Sequence, residues 1–157
     1  MKVRLMTQSD LSAAADIHRL TFIRQEQSLQ WLQCNLNAFP RFLCFVAEDK
    51  KCIVGYIIWS QKSGFRPKAI LELEQLAVSP NHRNKGIGRA LITHSLPLIK
   101  TQLALNNATI KHILVTTRAD NFAQSLYQST LGAEIEATIS NLYSSDEVLM
   151  IARDLDL

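Results

Sequence analysis

Residues 82–89, with the sequence HRNKGIGR, combine two glycines with four basic or potentially basic side chains. They come three residues after AILELEQLAV, which reads as a strand, and precede a segment with helical spacing of apolar residues. Glycines at such a junction allow positive φ and let a ligand approach the backbone closely. The first N–H groups of a helix lack internal partners, and its dipole adds about half a positive charge. The segment therefore predicts an anion site, with a phosphate-bearing ligand as the candidate.

Two common phosphate-binding loops do not fit this segment. A Walker loop requires GxxxxGK[ST], which the chain lacks. A dinucleotide fingerprint requires a third glycine where Leu91 stands. The remaining pattern is Arg83-x-x-Gly86-x-Gly88. The alternative to an anion site is a tight turn with solvated basic side chains.

Glu72 and Glu74 are the carboxylates with a spacing suited to acid–base chemistry. A spacing of two along a strand places both on one face, opposite Leu71, Leu73 and Gln75. Two carboxylates on a central strand are costly to bury without a purpose. The alternative is that both line a wet edge of a cleft.

Tyr127 is the other candidate for proton transfer. It shares a helical face with Ala123 and Leu131, so burial alone would also explain it. As a core tyrosine it would still require a partner for its hydroxyl.

The elements that must position these residues follow from periodicity along the chain. The order is β, α, α, β, β, β, α, β, α, β, β, which predicts a mixed α/β domain around one sheet. Two β-rich runs separated by DKK indicate a hairpin. Pro97 is expected to kink or stop the helix after the glycine segment, because it removes the bond to the Thr93 carbonyl.

Composition limits the classes of function. The chain has 157 residues, 47% of them hydrophobic and 20% charged, which suits one soluble domain over residues 1–157. A net charge of +3 fits a chain that handles anions but does not suggest nucleic-acid binding. MKVRLMTQSD has no apolar signal-peptide core, and no apolar run approaches the ~20 residues that span a membrane.

Cysteine and histidine usage indicates neither a disulfide framework nor a metal site. Cys34, Cys44 and Cys52 are odd in number and lack CxxC spacing, so a reducing cytoplasm is expected. We expect all three to be inert packing residues. The four histidines show no metal-ligand spacing, so no metal is expected.

Two blocks of sequence resemble the Gcn5-related N-acetyltransferase (GNAT) superfamily. LEQLAVSPNHRNKGIGRALI is similar to its acetyl-CoA signature, whose core is [Q/R]-x-x-G-x-[G/A]. TTRADNFAQSLYQSTLGAE is similar to its later motif, with an Asn at a strand end, then Leu-Tyr and a Gly. Both stand in the family's order. The resemblance implies a mostly antiparallel twisted sheet of about six or seven strands flanked by about four helices.

The resemblance also implies how acetyl-CoA is bound, as a co-substrate. Arg83 begins the loop motif, and the pyrophosphate would accept hydrogen bonds from backbone amides along the loop. The pantetheine arm would pair with the strand backbone before the loop, where the Val78 amide is the expected oxyanion donor. Asn121 matches a family residue that bonds the cofactor, although an N-cap role is the alternative. The residues involved are Leu76, Ala77, Val78, Arg83, Asn84, Lys85, Gly86, Ile87, Gly88, Arg89 and Asn121.

The implied reaction is acetyl transfer from a thioester to a primary amine. Such an amine has a pKa near 10.4, so it must lose a proton before attack. Glu74 matches the base of polyamine-acetylating members, and Glu72 lies nearer the position used by histone-acetylating members. We therefore favour Glu74 as the base, with Glu72 as the alternative. Tyr127 matches the acid that protonates the departing thiolate. Thr116 stands where N-terminal acetylases of ribosomal proteins carry a Glu, which argues against that subgroup.

Three functions remain open at this stage. The leading hypothesis is an acetyl-CoA-dependent N-acetyltransferase acting on an amine of a small molecule or protein. The second is a non-catalytic acyl-CoA-binding or regulatory module, and the third is acyl transfer to a non-amine acceptor. Neither nucleic acid nor membrane is an expected partner, a homodimer is left open, and the acceptor is not identified.

Overall fold

The computed structural model describes residues 1–155 and contains the predicted order of elements. The strands are β1 (Lys2–Leu5), β2 (Phe42–Asp49), β3 (Cys52–Gln61), β4 (Lys68–Val78), β5 (Thr109–Arg118), β6 (Glu134–Ile139) and β7 (Glu147–Ala152). The helices are α1 (Leu11–Thr21), α2 (Ser28–Asn37), α3 (Ile87–Ala104) and α4 (Ala123–Leu131), with short 3₁₀ turns at Gln8–Asp10 and Pro80–His82. No helix in this part of the chain is both long and apolar enough to cross a membrane.

The strands form one seven-stranded sheet within the described residues, in the order β1-β2-β3-β4-β5-β7-β6. β1 and β2, β2 and β3, β5 and β7, and β6 and β7 pair antiparallel, whereas β4 and β5 pair parallel. The predicted fold class, a mixed and mostly antiparallel sheet with four α-helices, is therefore confirmed.

The chain divides into two compact units. The first comprises residues 1–60 and 75–99, and the second comprises residues 61–74 and the chain from Lys100 onward. β4 and α3 each contribute residues to both units. The expectation of a single domain over residues 1–157 stays a prediction.

The β2–β3 connection is the predicted hairpin. Asp49 pairs with Cys52, which leaves Lys50 and Lys51 as a two-residue turn. Their φ angles are 48° and 66°. Positive φ at both central positions is the signature of a type I′ turn, whose twist matches that of the flanking strands.

The first unit buries apolar residues of α1 and α2 against β2 and β3, and it also packs β3 against the first half of α3. Trp59 on β3 is fully buried, and its indole N–H donates to Ser95 Oγ over 3.0 Å. The Ser95 hydroxyl in turn donates to the Ile92 carbonyl over 3.2 Å. This pairing satisfies two polar groups that would otherwise destabilise the interior by about 1–3 kcal/mol each.

The prediction that Pro97 kinks or stops α3 is wrong in its stronger form, because the helix continues to Ala104. An internal proline costs roughly 3 kcal/mol. The neighbouring turns bury Leu91, Ile92 and Ile99 completely. Each such side chain stabilises the packed helix by about 1.5–3 kcal/mol. Packing therefore outweighs the local defect.

The expectation for the cysteines holds for one of the three. Cys44 is buried, and burial raises the pKa of its thiol to about 12, so it stays protonated and unreactive. Cys34 and Cys52 are exposed, so the prediction that they pack internally is wrong. Cys52 lies at the start of β3, beside the hairpin turn, where its side chain faces away from the core.

Candidate active site

The predicted anion loop connects β4 to α3 in the first unit. Ser79 donates its backbone N–H to the Val54 carbonyl, and His82 donates to the Ser79 carbonyl, both over 2.9 Å. Asn84 has φ of 60° and Gly86 has φ of 77°. Two left-handed residues so close together reverse the chain before α3 begins at Ile87.

The loop leaves its backbone accessible to a ligand. A Cβ atom built on Gly86 would have no other atom within 4 Å, so open space lies above this residue. The first intrahelical bond runs from the Ala90 N–H to the Gly86 carbonyl, over 3.0 Å. The N–H groups of Ile87, Gly88 and Arg89 precede it in the helix and have no intrahelical acceptor. These N–H groups are among those that the sequence analysis predicted to bind an anion.

The basic side chains of the loop differ in their surroundings. Arg83 braces the loop, because its Nε donates to the Val78 carbonyl over 3.2 Å and its Nη2 lies 3.5 Å from Thr21 Oγ1. Lys85 Nζ donates to the Asn81 carbonyl over 3.3 Å. Both side chains are exposed. Positive charge is thus held close to the loop backbone at the start of α3.

Gly55 on β3 is a residue of this region that the sequence analysis missed. A Cβ atom there would lie 2.9 Å from the Ala77 carbonyl oxygen and 3.1 Å from Leu91 Cδ1. Only glycine lets β3, the end of β4 and the first turns of α3 approach so closely. A glycine inside an apolar strand run is the signal that marks such a contact.

The second unit contains both candidate carboxylates. On β4, Leu71 and Leu73 are buried, Glu72 is half-buried and Glu74 is exposed, so the predicted alternation is present. Glu72 Oε2 lies 2.8 Å from Lys62 Nζ. Glu72 therefore shares an ion pair with Lys62, and Glu74, although exposed, also makes a polar or electrostatic interaction.

The pairing of β4 with β5 covers only part of β4. The register runs from Lys68 opposite Thr109 to Glu72 opposite Leu114. β4 continues beyond that pair through Leu73 and Glu74. Glu74 therefore lies past the last pair of the parallel ladder.

Tyr127 lies on α4 and is 6% exposed. Burial raises the pKa of its hydroxyl to about 12, so the group is protonated throughout the physiological range. Its hydroxyl makes no hydrogen bond to any residue in 1–155, although a buried tyrosine normally has such a partner. The raised pKa lies further above the ~8.5 of a thiol than that of an ordinary tyrosine, which favours hydrogen-bond donation over full proton release.

Asn121 lies one residue before Phe122, which is the N-cap of α4, so the alternative prediction that Asn121 is itself the N-cap does not hold. Its Oδ1 accepts from the backbone N–H of Ala123 over 2.9 Å, and its Nδ2 donates to Thr117 Oγ1 over 3.0 Å. The side chain is exposed. Asn121 therefore fixes the end of β5 to the start of α4.

The candidate residues fall into two sets, each within one unit. The first unit contains Leu76, Ala77, Val78 and the loop from Arg83 to Arg89, and the second contains Glu74, Asn121 and Tyr127. In the described part of the chain, no group of three or more His, Cys, Asp or Glu side chains is arranged to hold a metal ion.

In the described residues, β4 passes into a glycine-containing loop at the start of α3, on a seven-stranded mixed sheet. The acetyltransferase (GNAT) family profile matches residues 11–133. The chain belongs to this family, as the resemblance of its two motifs implied.

Comparison with known proteins supports the same assignment. The chain is 36% identical over 90 residues to N-acetyltransferase family 8 member 3 of Rattus norvegicus. That match covers 56% of this chain and 37% of the rat protein, so the chain matches little more than a third of that relative's length.

Solved structures share the fold at low sequence identity. The ribosomal-protein-S18-alanine N-acetyltransferase of Escherichia coli superposes with a TM-score of 0.79 at 20% identity, covering 98% of this chain and 93% of that one. An aminoglycoside 6'-N-acetyltransferase complexed with coenzyme A gives 0.75 at 17% identity, covering 98% and 97%. Ard1 of Thermoplasma volcanium gives 0.74 at 22% identity, with the same coverage.

Proposed function

We propose that this protein transfers an acetyl group from acetyl-CoA to a primary amine of a small molecule or protein, by direct attack within a ternary complex. The observation that carries the proposal is the loop at Asn84–Arg89. It has two left-handed residues, open space over Gly86 and amides without intrahelical acceptors at the start of α3. Family membership supplies the class of ligand that fits such a loop.

In this proposal the loop binds the pyrophosphate of acetyl-CoA. The backbone amides from Asn84 through Arg89 donate to phosphate oxygens, because helix N-termini favour anions. Arg83, held against the Val78 carbonyl, keeps the loop fixed to the end of β4. The backbone of Leu76, Ala77 and Val78 binds the pantetheine arm as an additional strand.

The chemical step joins the amine nitrogen to the thioester carbonyl carbon. Glu74 accepts the proton that the ammonium must lose, directly or through a water molecule. The nitrogen lone pair then forms the C–N bond, and the Val78 N–H donates to the oxyanion that develops. As the tetrahedral intermediate collapses, its nitrogen loses a second proton to water. When the C–S bond breaks, the sulfur takes up the electron pair, and Tyr127 donates a hydrogen bond and then its proton to the thiolate. The Tyr127 phenolate recovers a proton from water. Coenzyme A leaves as the thiol.

A screen with free-thiol detection tests the proposal. Purified protein is mixed with acetyl-CoA and a panel of polyamines, aminoglycosides, amino acids and peptides with free N-termini or lysines. At least one amine is expected to accelerate thiol release well above the rate with acetyl-CoA alone, and mass spectrometry should find one added acetyl group on that amine.

Two other outcomes would identify a different function. Tight acetyl-CoA binding with no acceptor in the panel would indicate a non-catalytic acyl-CoA-binding module. Thiol release with hydroxyl compounds but no amine would indicate transfer to a non-amine acceptor. Absence of acetyl-CoA binding by calorimetry would refute the cofactor site itself.

A further inference from the structure

The connection between β5 and α4, residues 119–122, is held by a side chain that the proposed reaction does not use. Gln124 lies in the first turn of α4 and is half-buried. Its Nε2 donates to the Ala119 carbonyl over 2.9 Å and to the Arg118 carbonyl over 3.2 Å. A side-chain amide nitrogen carries two N–H groups, so both are used. One side chain thus fastens the start of α4 to the end of β5.

The two carbonyls that Gln124 binds lie where the sheet ends. Arg118 is the last residue of β5 and pairs with Glu147 of β7, and Ala119 lies beyond the strand. Past the last pair, the ladder no longer supplies N–H donors to the backbone, so other groups must do so. The Arg118 carbonyl also accepts from the Asn121 N–H over 3.0 Å. Gln124 therefore closes a turn that the sheet leaves open.

Asn121 ties the same turn to β5 through a side chain rather than the backbone. Its Nδ2 donates to Thr117 Oγ1 over 3.0 Å, and its Oδ1 accepts from the Ala123 N–H over 2.9 Å. Two amide side chains, three positions apart, thus connect the start of α4 to the last residues of β5. Asn121 is also a proposed cofactor-binding residue, whereas Gln124 is not. Gln124 is therefore the residue at which bracing can be tested separately.

Gln124, Tyr127 and Leu131 form one stripe along α4. Their spacings of three and four residues place them on the same face of the helix. Tyr127 and Leu131 are 6% and 8% exposed, so this stripe is the packed face of α4. Gln124 lies at its amino end. Its two bonds to the end of β5 therefore restrict both sliding and rotation of the helix that carries Tyr127.

The position of the Tyr127 hydroxyl depends on this helix, because no residue in 1–155 makes a hydrogen bond to that hydroxyl. At the other end of α4, the Tyr127 carbonyl accepts from the Ala133 N–H over 3.4 Å, and Gly132 is left-handed with φ of 70°. α4 is thus fixed at both ends, and Gln124 is the tie one turn before Tyr127. A misplacement of about 1 Å at a reacting group can cost about 10²-fold in rate.

We propose that Gln124 is a positioning residue for acetyl transfer, which sets the place of the Tyr127 hydroxyl by holding the start of α4 on the end of β5. The inference rests on the proposed function, in which Tyr127 protonates the departing thiolate. It adds a residue that acts through Tyr127 and has no contact with the reacting atoms in that scheme.

Three substitutions on α4 test this role. Gln124→Met keeps the length and helix propensity of the side chain and removes both donors. Gln124→Lys keeps N–H donors that can reach the two carbonyls, so it should restore most of the effect of the natural residue. Gln128→Met is the matched control. Gln128 is exposed one turn later on α4, and its side chain bonds no residue in the described part of the chain.

The first measurements need no acceptor. In Gln124→Met, native-state hydrogen exchange of the Asn121 and Ala123 N–H groups should be faster by about tenfold, because both bond within the turn. The NMR signal of an isotope-labelled Tyr127 Cζ should also shift, and it should return towards its natural position in Gln124→Lys. Gln128→Met should change neither. Unchanged exchange in Gln124→Met, or an unchanged Tyr127 signal, would overturn the proposal.

The second measurement is a double-mutant cycle on kcat, with the first amine of the panel that releases thiol. Gln124→Met should lower kcat by about tenfold, with acetyl-CoA affinity within about twofold. In the Tyr127→Phe background the same substitution should change kcat by less than about twofold, since no hydroxyl remains to be positioned. Equal reductions in both backgrounds would reduce Gln124 to a structural role and overturn the positioning claim.

The cycle also separates this inference from the proposed function. Normal kcat in Tyr127→Phe alone would overturn the inference, because the hydroxyl would then have no role for Gln124 to support. Failure of every amine, with acetyl-CoA bound, would count against the proposed function. In that case the exchange rates and the Tyr127 signal still decide whether Gln124 sets the place of the hydroxyl.

Discussion

Glu72 Oε2 lies 2.8 Å from Lys62 Nζ, whereas Glu74, two residues further along β4, is exposed. An ammonium beside a carboxylate favours the ionised form and occupies one of its oxygens. Both the sequence and this arrangement favour Glu74 over Glu72, and Glu74 as the base stays a proposal. Glu74 lies past the last β4–β5 pair, whereas Glu72 is within the ladder.

Glu74→Gln is expected to lower kcat/KM at neutral pH by about 10²-fold, because a positioned base contributes about 10²–10⁴-fold and water can partly replace it. Glutamine keeps the shape, so acetyl-CoA affinity measured by calorimetry should be unchanged. Glu72→Gln is the matched control and should change kcat/KM much less. If Glu72→Gln is the damaging substitution and Glu74→Gln is silent, the choice of base is wrong.

Gly86→Asp is expected to weaken acetyl-CoA binding by well over tenfold, that is, by more than about 1.4 kcal/mol. The substitution places a negative charge in the open space over the loop and strains a residue with φ of 77°. Gly64→Asp is the control, since Gly64 also has positive φ, 100°, and open space around it, but lies in the β3–β4 connection. Calorimetry on both folded variants separates the effect of the site from charge and strain. Equal affinities would place the pyrophosphate elsewhere.

The pKa of His18 links stability to pH. Burial holds the pKa of its imidazole below the ordinary value near 6.5, so the unfolded chain binds the proton more readily than the folded one. The free energy of unfolding should therefore fall as pH decreases below about 6.5. Burial raises the pKa of Glu147, which gives a dependence of opposite sign at lower pH.

Comparison of variants isolates the contribution of His18. Denaturant unfolding between about pH 5 and 8 should show a smaller pH slope in His18→Gln than in the natural protein. His94→Gln, which removes an exposed histidine of α3, should keep the natural slope. A His18→Gln slope equal to that of the natural protein would show that His18 is not responsible.

The order of elements was predictable because each signal is local. Two-residue and 3.6-residue periodicities and the DKK turn act within a few positions, and they gave every strand and helix. The local rule for Pro97 predicted a kink or an end of α3, but the helix continues. Burial of Leu91, Ile92 and Ile99 stabilises it, and that burial depends on the packed fold rather than on local sequence.

The loop motif was equally local, but the contacts that hold the site are not. Gln75 meets Gln25, Trp31 and Tyr56, which are 50, 44 and 19 positions away. Sequence periodicity does not predict contacts between residues so far apart. Nor does it predict that a glutamine in a strand will be buried. The β4–β5 pairing ends at Glu72, and this end point also depends on long-range packing of the two strands, so it could not be predicted from the sequence.

Tyr127→Phe is expected to lower kcat and kcat/KM together, because the hydroxyl acts only as the C–S bond breaks. The ring remains to pack on α4, and the hydroxyl has no partner among residues 1–155 whose loss would destabilise the fold. The melting temperature and the acetyl-CoA affinity should therefore be nearly unchanged. Tyr143→Phe is the matched control, since Tyr143 is an exposed tyrosine in the β6–β7 connection.

The pH profile of the natural protein supplies an independent check on Tyr127. With a pKa of about 12, its hydroxyl stays protonated across the accessible range. Titration of Tyr127 should therefore not lower kcat below about pH 10, and the pH profiles of the natural protein and Tyr127→Phe should have the same shape up to that pH. Steady-state kinetics with a confirmed acceptor amine, beside a thermal melt of each variant, give both results. Normal kcat in Tyr127→Phe with a lowered melting temperature would assign the tyrosine to packing and leave protonation of the thiolate to solvent.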